Sequence, residues 1–375
     1  MPCPPRCRIS YSSSLIGNGI LRSTDTQKET IIVRVMICSY FEEEYVERIR
    51  GVDERIRVLY REDLVPPPRW LGDHVGHPQW QRSSGDEEEF LAMLGEAEVL
   101  YDFPRGHVED LVRVAPRLRW VQASIAGAGE VAEKARLQET DVIVTTASGV
   151  YSGPLAEFVM MALLQHVKDL DRLRRDKAEK RWCEAHTDTL SGKTMCIVGM
   201  GNIGRAVAER ARPFGVRVLG VKRTVREADE AWEYADELYP THDLPQALRE
   251  ADYVVVTLPG TPETYHLLDA AAFSTIKRGA YFANVGRGKA VDEAALVEAL
   301  RDGRLSGAAL DVFEEEPLPE ESPLWELENV ILSPHSTDTV PRLANELQSK
   351  LFCENLRRYL DGEPLVNELN KELLY

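Results

Sequence analysis

TMCIVGMGNIG, residues 194–204, is the stretch on which the fold of this chain turns. Thr194 to Val198 is a short apolar run suited to a buried strand, and helical spacing takes over from Asn202. Between them Gly199, Gly201 and Gly204 form a GxGxxG pattern, weak evidence alone and strong evidence between a strand and a helix. Gly199 permits a tight turn, Gly201 lets the backbone approach a pyrophosphate, and Gly204 lets the helix lie against the strand. Amides of the helix N-terminus, those of Asn202 and Ile203 among them, then face the phosphates, where the helix dipole favours an anion. A glycine-rich turn with no ligand is the structural alternative.

The same rhythm extends both ways from this stretch. Downstream, strands are expected at Val216–Val221, Tyr253–Leu258, Ala280–Val285, Gly307–Leu310 and Val330–Leu332, separated by helix-length segments. Upstream, Ile31–Cys38, Val99–Tyr101, Trp120–Ala123 and Val142–Thr145 read as strands, with a charged helix from Phe41 to Ile49. Pro66, Pro67 and Pro68 with the polar run Gly72–Asp86 predict a surface loop. One long helix is expected over Leu155–Leu173, and an amphipathic helix over Leu343–Leu360. Two alternating βαβ regions imply an α/β protein: two Rossmann-like, doubly wound parallel-sheet domains with a cleft between them.

Composition agrees with two domains. The 375 residues amount to about two and a half domains of ~150 residues, and 43% apolar with 29% charged residues is ordinary for a globular chain. A formal net charge of −17 repels nucleic acid and anionic membranes, leaving only a local basic pocket for an anionic ligand. No apolar run approaches the ~20 residues of a membrane helix. Six cysteines, at 3, 7, 38, 183, 196 and 353, form no CxxC pair, so neither zinc nor a disulfide framework is expected. A cytoplasmic protein without a resident metal is the reading. Residues 1–30 lack any sustained period and read as a disordered extension, or as sequence ahead of a true start near Met36. An organellar transit peptide is the alternative, against which Asp25 and Glu29 count.

The end of the second strand bears on the cofactor. An Asp or Glu there commonly accepts bonds from the ribose 2′-hydroxyl of NAD. Here Gly220-Val221 is followed by Lys222, Arg223 and Thr224, with no acid until Glu227. Two cations and a hydroxyl suit a 2′-phosphate, so NADP(H) is preferred and NAD(H) is the alternative.

Three ionisable residues follow at strand ends. Arg287 lies in NVGRGKAVDE, Glu316 in LDVFEEEPLP and His335 in ILSPHS. An open α/β sheet gathers its strand ends at one crevice, so the three could converge. Singly each has a plain explanation: Arg287 pairing with Asp292 or Glu293, Glu316 in a solvated acidic turn, His335 as a satisfied core residue.

Taken in order, GxGxxG, NxxRGxxVDExAL, the DVFxxEPLP block and PH resemble the D-isomer-specific 2-hydroxyacid dehydrogenases, over about 120–365 closely and 33–120 more loosely. SPLW after EPLP and the non-acidic strand end look like the glyoxylate/hydroxypyruvate reductase branch. The resemblance implies that Arg287 holds the substrate's carboxylate and carbonyl, His335 is the general acid/base, and Glu316 orients it. It implies that the Ser124–Gly129 loop, with Ala126 and Gly127, takes the carboxylate on backbone amides. Pro259, Thr264 and Val285 would line the dinucleotide site and Asp311 would meet the nicotinamide carboxamide. Trp325 is placed either at the substrate pocket or in ordinary packing.

By the same resemblance, 31–153 plus 336–375 form the substrate domain and 154–335 the dinucleotide domain, with hinges near Ser152–Ala156 and Ser336. A homodimer is expected, with the helix near Leu155 at its interface. Ser336-Thr337-Asp338-Thr339 departs from the family's glycine-containing stretch, which bears on pocket shape. The expected function is NADPH-dependent reduction of a small 2-oxo acid to the D-2-hydroxy acid. A broad NAD(P)-dependent D-2-hydroxyacid dehydrogenase is one alternative, and a dinucleotide-sensing corepressor-like binding protein is another.

Overall fold

The structure is a computed structural model and describes residues 32–338 and 340–374, so the expectation for 1–30 lies outside the described residues. Strands β1 (Val33–Ile37), β2 (Ile56–Leu59), β3 (Val99–Tyr101), β4 (Trp120–Gln122) and β5 (Ile143–Thr145) form one sheet in the order β2-β1-β3-β4-β5. The second sheet contains β6 (Thr194–Val198), β7 (Arg217–Lys222), β8 (Glu237–Pro240), β9 (Tyr253–Val256), β10 (Ala280–Asn284), β11 (Leu305–Leu310) and β12 (Val330–Leu332). Its order is β12-β11-β10-β9-β6-β7-β8. Neighbouring strands pair in parallel throughout both sheets. The chain is therefore the doubly wound α/β protein that its rhythm implies.

Period-two alternation sorts each strand between two cores. Val33, Val35 and Ile37 face a cluster completed by Phe41, Tyr45 and Phe352, whereas Met36 and Cys38 face one with Phe90 and Leu94. In the second sheet Cys196 and Val198 pack on one side, and Met195 and Ile197 on the other against Leu155, Val159 and Leu163. The helix Ser152–Val167 carries the chain from the first sheet to the second. The helix Pro341–Asp361 brings it back, burying Phe352 and Leu356 on the first sheet. Among the described residues no helix is long and apolar enough to cross a membrane.

Several expectations need correction. The strands β2 and β8 have no counterpart in the sequence reading. Both are edge strands, so their residues are only partly covered and need no continuous apolar run. The helix expected over Leu155–Leu173 breaks at Asp169, which adopts a left-handed φ of 50° before a second helix, Leu170–Ala178. Asp tolerates that conformation better than most residues, and its carboxylate accepts from Arg172 Nε at 2.7 Å. The Gly72–Asp86 loop ends early, because Ser83 caps a helix, Ser84–Glu96. Asp73 within the loop is buried rather than solvated.

Candidate active site

The ionisable residues singled out in the second half of the chain lie at or shortly beyond the carboxyl ends of strands of the second sheet. In sheet order His335 follows β12, Asp311 and Glu316 follow β11, Arg287 follows β10, and Pro259 follows β9. The glycine-rich turn follows β6, and Lys222 ends β7 just ahead of Arg223 and Thr224. Adjacent strands stand about 4.8 Å apart, so a separation of nearly 50 residues between Arg287 and His335 collapses to a two-strand step.

Arg287 is set by close backbone packing. Asn284, fully buried at the end of β10, accepts from the Gly286 amide at 3.0 Å and donates to the Arg287 carbonyl at 3.1 Å. Gly288 lies so near the Phe313–Glu314 peptide that a Cβ there would stand 1.8 Å from the Phe313 oxygen. That contact fastens the arginine loop to the loop that carries Glu316. The guanidinium reaches the first sheet's side of the cleft, where a Cβ on Gly127 would stand 2.0 Å from Arg287 Nη2. Asp292 instead caps the helix Glu293–Arg301, and no carboxylate among the described residues makes an ion pair with Arg287. A half-buried guanidinium in that state is suited to a bound anion.

His335 and Glu316 meet directly, with His335 Nδ1 2.8 Å from Glu316 Oε2. The other oxygen of Glu316 accepts from the Phe313 amide at 3.0 Å, so the carboxylate is held on two sides. A carboxylate at Nδ1 keeps a proton on that nitrogen and leaves Nε2 for other chemistry. His335 has a left-handed φ of 51°, an uncommon conformation for a non-glycine residue and one that recurs at functional sites.

The turn after β6 has the geometry that a phosphate needs. Gly199 has a φ of 111°, and a Cβ on Gly204 would stand 2.1 Å from the Gly199 oxygen. No side chain caps the helix Asn202–Ala211 at Gly201, and a Cβ at Gly201 would meet nothing within 4 Å. The first-turn amides thus have no side-chain acceptor, and open space lies beside them. Asn202 donates to Ser148 Oγ at 2.9 Å, and Ile203 packs partly into the core. A cavity of about 360 Å³ between this turn and β7 is lined by Met200, Arg205, Lys222, Arg226 and Asp229. The residues present therefore fit a dinucleotide.

Other positions carry structural duties. Asp311, buried, accepts from the Ser336 and Thr337 amides at 3.1 and 3.2 Å. Thr264 Oγ1 donates to the Pro259 carbonyl at 2.7 Å. Val285 is buried in the core beside the end of β10. Trp325 is exposed, with Nε1 2.9 Å from the Pro319 oxygen. Lys222 is not a bare cation: it pairs with Asp229, whose carboxyl it holds below the usual range by a hydrogen bond. Asp229 and Arg226 escaped the sequence reading because they lie beyond the strand end, in a segment with no period to place them. Asn284 was visible as the first letter of NVGRG, but its clamp on the arginine loop was not.

This assembly lies at the strand ends of a Rossmann-like fold, where such folds bind dinucleotides. Residues 160–337 match the D-isomer specific 2-hydroxyacid dehydrogenase NAD-binding domain. The chain is 35% identical over 274 residues to a glyoxylate reductase of Korarchaeum cryptofilum, covering 71% of this chain and 80% of that protein. A D-isomer specific 2-hydroxyacid dehydrogenase from Xanthobacter autotrophicus Py2, in complex with NADPH and MES, superposes with a TM-score of 0.71. The match has 30% identity and covers 92% of this chain and 100% of that one. An NADPH-dependent glyoxylate/hydroxypyruvate reductase from Sinorhizobium meliloti, in complex with NADP and sulfate, gives 0.69 at 26% identity, covering 92% and 100% of the two chains. The chain belongs to the D-isomer specific 2-hydroxyacid dehydrogenase family, a family of NAD(P)-dependent enzymes.

Proposed function

We propose that the protein reduces a small 2-oxo acid, of the glyoxylate or hydroxypyruvate kind, to the D-2-hydroxy acid with NADPH as hydride donor. One observation carries this reading: an arginine without an ion-pair partner and a His–Glu pair sit at the ends of nearby strands beside a phosphate-binding turn. The nicotinamide, when bound, supplies the hydride. Arg287 binds the carboxylate and polarises the carbonyl, its planar fork matching both oxygens. His335 Nε2 gives the proton that the carbonyl oxygen needs, and Glu316 stabilises the imidazolium and keeps the remaining proton on Nδ1 of the neutral ring. Ala126 and Gly127 contribute backbone to the carboxylate site. In this reading 31–153 plus 336–375 serve the substrate and 154–335 the dinucleotide, hinged where the chain crosses near Ser152–Ala156 and Ser336.

Arg223 and Thr224, with Arg226 on the cavity wall, favour a 2′-phosphate, although Lys222 pairs with Asp229 and Arg223 lies 3.8 Å from a Glu263 oxygen. The names of the structural relatives that bind NADPH or NADP support the same preference. The test is absorbance of the reduced nicotinamide with each dinucleotide and a panel of 2-oxo acids. Fast oxidation of NADPH with glyoxylate or hydroxypyruvate is expected, and His335→Ala should slow it about 10²- to 10⁴-fold while leaving dinucleotide binding intact. Absence of turnover with every acid, alongside tight dinucleotide binding, would overturn the reading.

A further inference from the structure

The loop Ser124–Gly129 is exposed at its middle, and no described residue accepts from the amides of Ile125, Ala126 or Gly127. Its carbonyls are not free. The Ala147 amide donates to the Ile125 oxygen at 3.0 Å, and the Tyr151 hydroxyl donates to the Ser124 oxygen at 2.9 Å. Both donors belong to the segment that crosses from the first sheet to the second. The peptides of this loop are trans, so the C=O and N–H of each point in opposite directions. Holding two consecutive carbonyls against the crossing segment therefore turns the Ile125 and Ala126 amides away from it.

A chain of directed hydrogen bonds sets the Tyr151 donor. The Tyr101 hydroxyl donates to Gln348 Oε1, which presents the Gln348 amide nitrogen to Tyr151 Oη at 2.5 Å. Tyr151 then accepts from Gln348 and has its own proton left for Ser124. Burial pushes the pKa of both phenols up from their ordinary value, so neither loses that proton near neutral pH. Ser124 is held a second time, its hydroxyl donating to Asp102 Oδ2 at 2.8 Å. Asp102 itself has a left-handed φ of 69°.

We propose that Tyr151, held by Gln348, is a positioning residue that aims the backbone amides of the 124–127 loop at the substrate's carboxylate. The proposal rests on the reading that this loop is the carboxylate site. The role of Tyr151 is to fix the peptide planes before the ligand arrives, so that ordering them costs no binding free energy. Tyr151 does not touch the reacting atoms.

The test is Tyr151→Phe, which removes one hydroxyl and keeps the ring. The KM for glyoxylate and the Kd for the non-reacting dicarboxylate oxalate, measured on NADP-loaded protein, should each rise about tenfold, the scale of one hydrogen bond. The Kd for NADPH and kcat should change by less than about twofold. Gln348→Leu, which leaves the Tyr151–Ser124 bond in place, should give a smaller loss in the same two constants. Unchanged oxalate affinity in Tyr151→Phe would overturn the proposal. So would parallel losses in oxalate affinity, NADPH affinity and melting temperature, which describe a merely structural residue. If the wild-type chain binds oxalate but reduces no oxo acid, the substrate assignment fails and oxalate affinity alone judges Tyr151. If it binds no oxalate, both fail.

Discussion

Arg287 illustrates how much of a functional side chain's behaviour lies in residues that never touch the ligand. Its reach across the cleft depends on the missing Cβ at Gly127, and its loop depends on the missing Cβ at Gly288. Arg287→Lys should therefore be far from conservative. It keeps the charge and loses the planar fork, so steady-state kinetics should show the KM for the oxo acid raised at least about tenfold with kcat lowered. Unchanged constants would remove Arg287 from the site. Glu316→Gln keeps the shape and removes the charge that favours the imidazolium. A fall in kcat of about 10- to 100-fold, with NADPH affinity intact, is the expected result of a pH–rate and binding comparison.

Among the elements, the loop between β2 and the helix Ser84–Glu96 departs most from its expected character. Asp73 is the reason. It accepts from Arg69 Nε and Nη2 at 2.7 and 2.9 Å and from the Val75 amide at 3.1 Å. Burial pushes its carboxyl up, and the Arg69 guanidinium with the backbone amides of Arg69 and Gly76 outweighs burial, bringing the pKa to about 2. A depressed pKa means stability present above the unfolded value of 3.8 and lost as pH falls toward about 2. The difference corresponds to about 2 kcal/mol. Asp73→Asn should lower stability by that order near neutral pH and flatten the acid limb of the stability curve between pH 4 and 2, read by denaturant unfolding at several pH values. A variant with the wild-type acid limb would contradict the assignment.

In the whole molecule, the first crossing helix and the region just after it leave large apolar side chains in solvent. Met161 is 46% exposed, Leu173 45% and Trp182 96%. The homodimer proposed from sequence would cover them. Light scattering should then give twice the chain's 42.3 kDa, and Trp182→Glu should shift the population toward monomer. A wild-type monomer at micromolar concentration would end the proposal.

The two sheets, the glycine turn and the three residues at strand ends were legible because each leaves a local mark. Buried parallel strands are continuous apolar runs, and the turn into a phosphate-facing helix needs glycine at defined offsets. The edge strands β2 and β8 left no such mark, since partial cover asks for no apolar run. Nor did the break at Asp169, where one dihedral angle divides a helix whose apolar spacing runs on. The pairing of Lys222 with Asp229, the press of Gly127 on Arg287 and the relay from Tyr101 through Gln348 to Tyr151 join residues up to 247 positions apart. Contacts of that kind depend on where folded elements meet, and the period of a single segment holds no record of its neighbours.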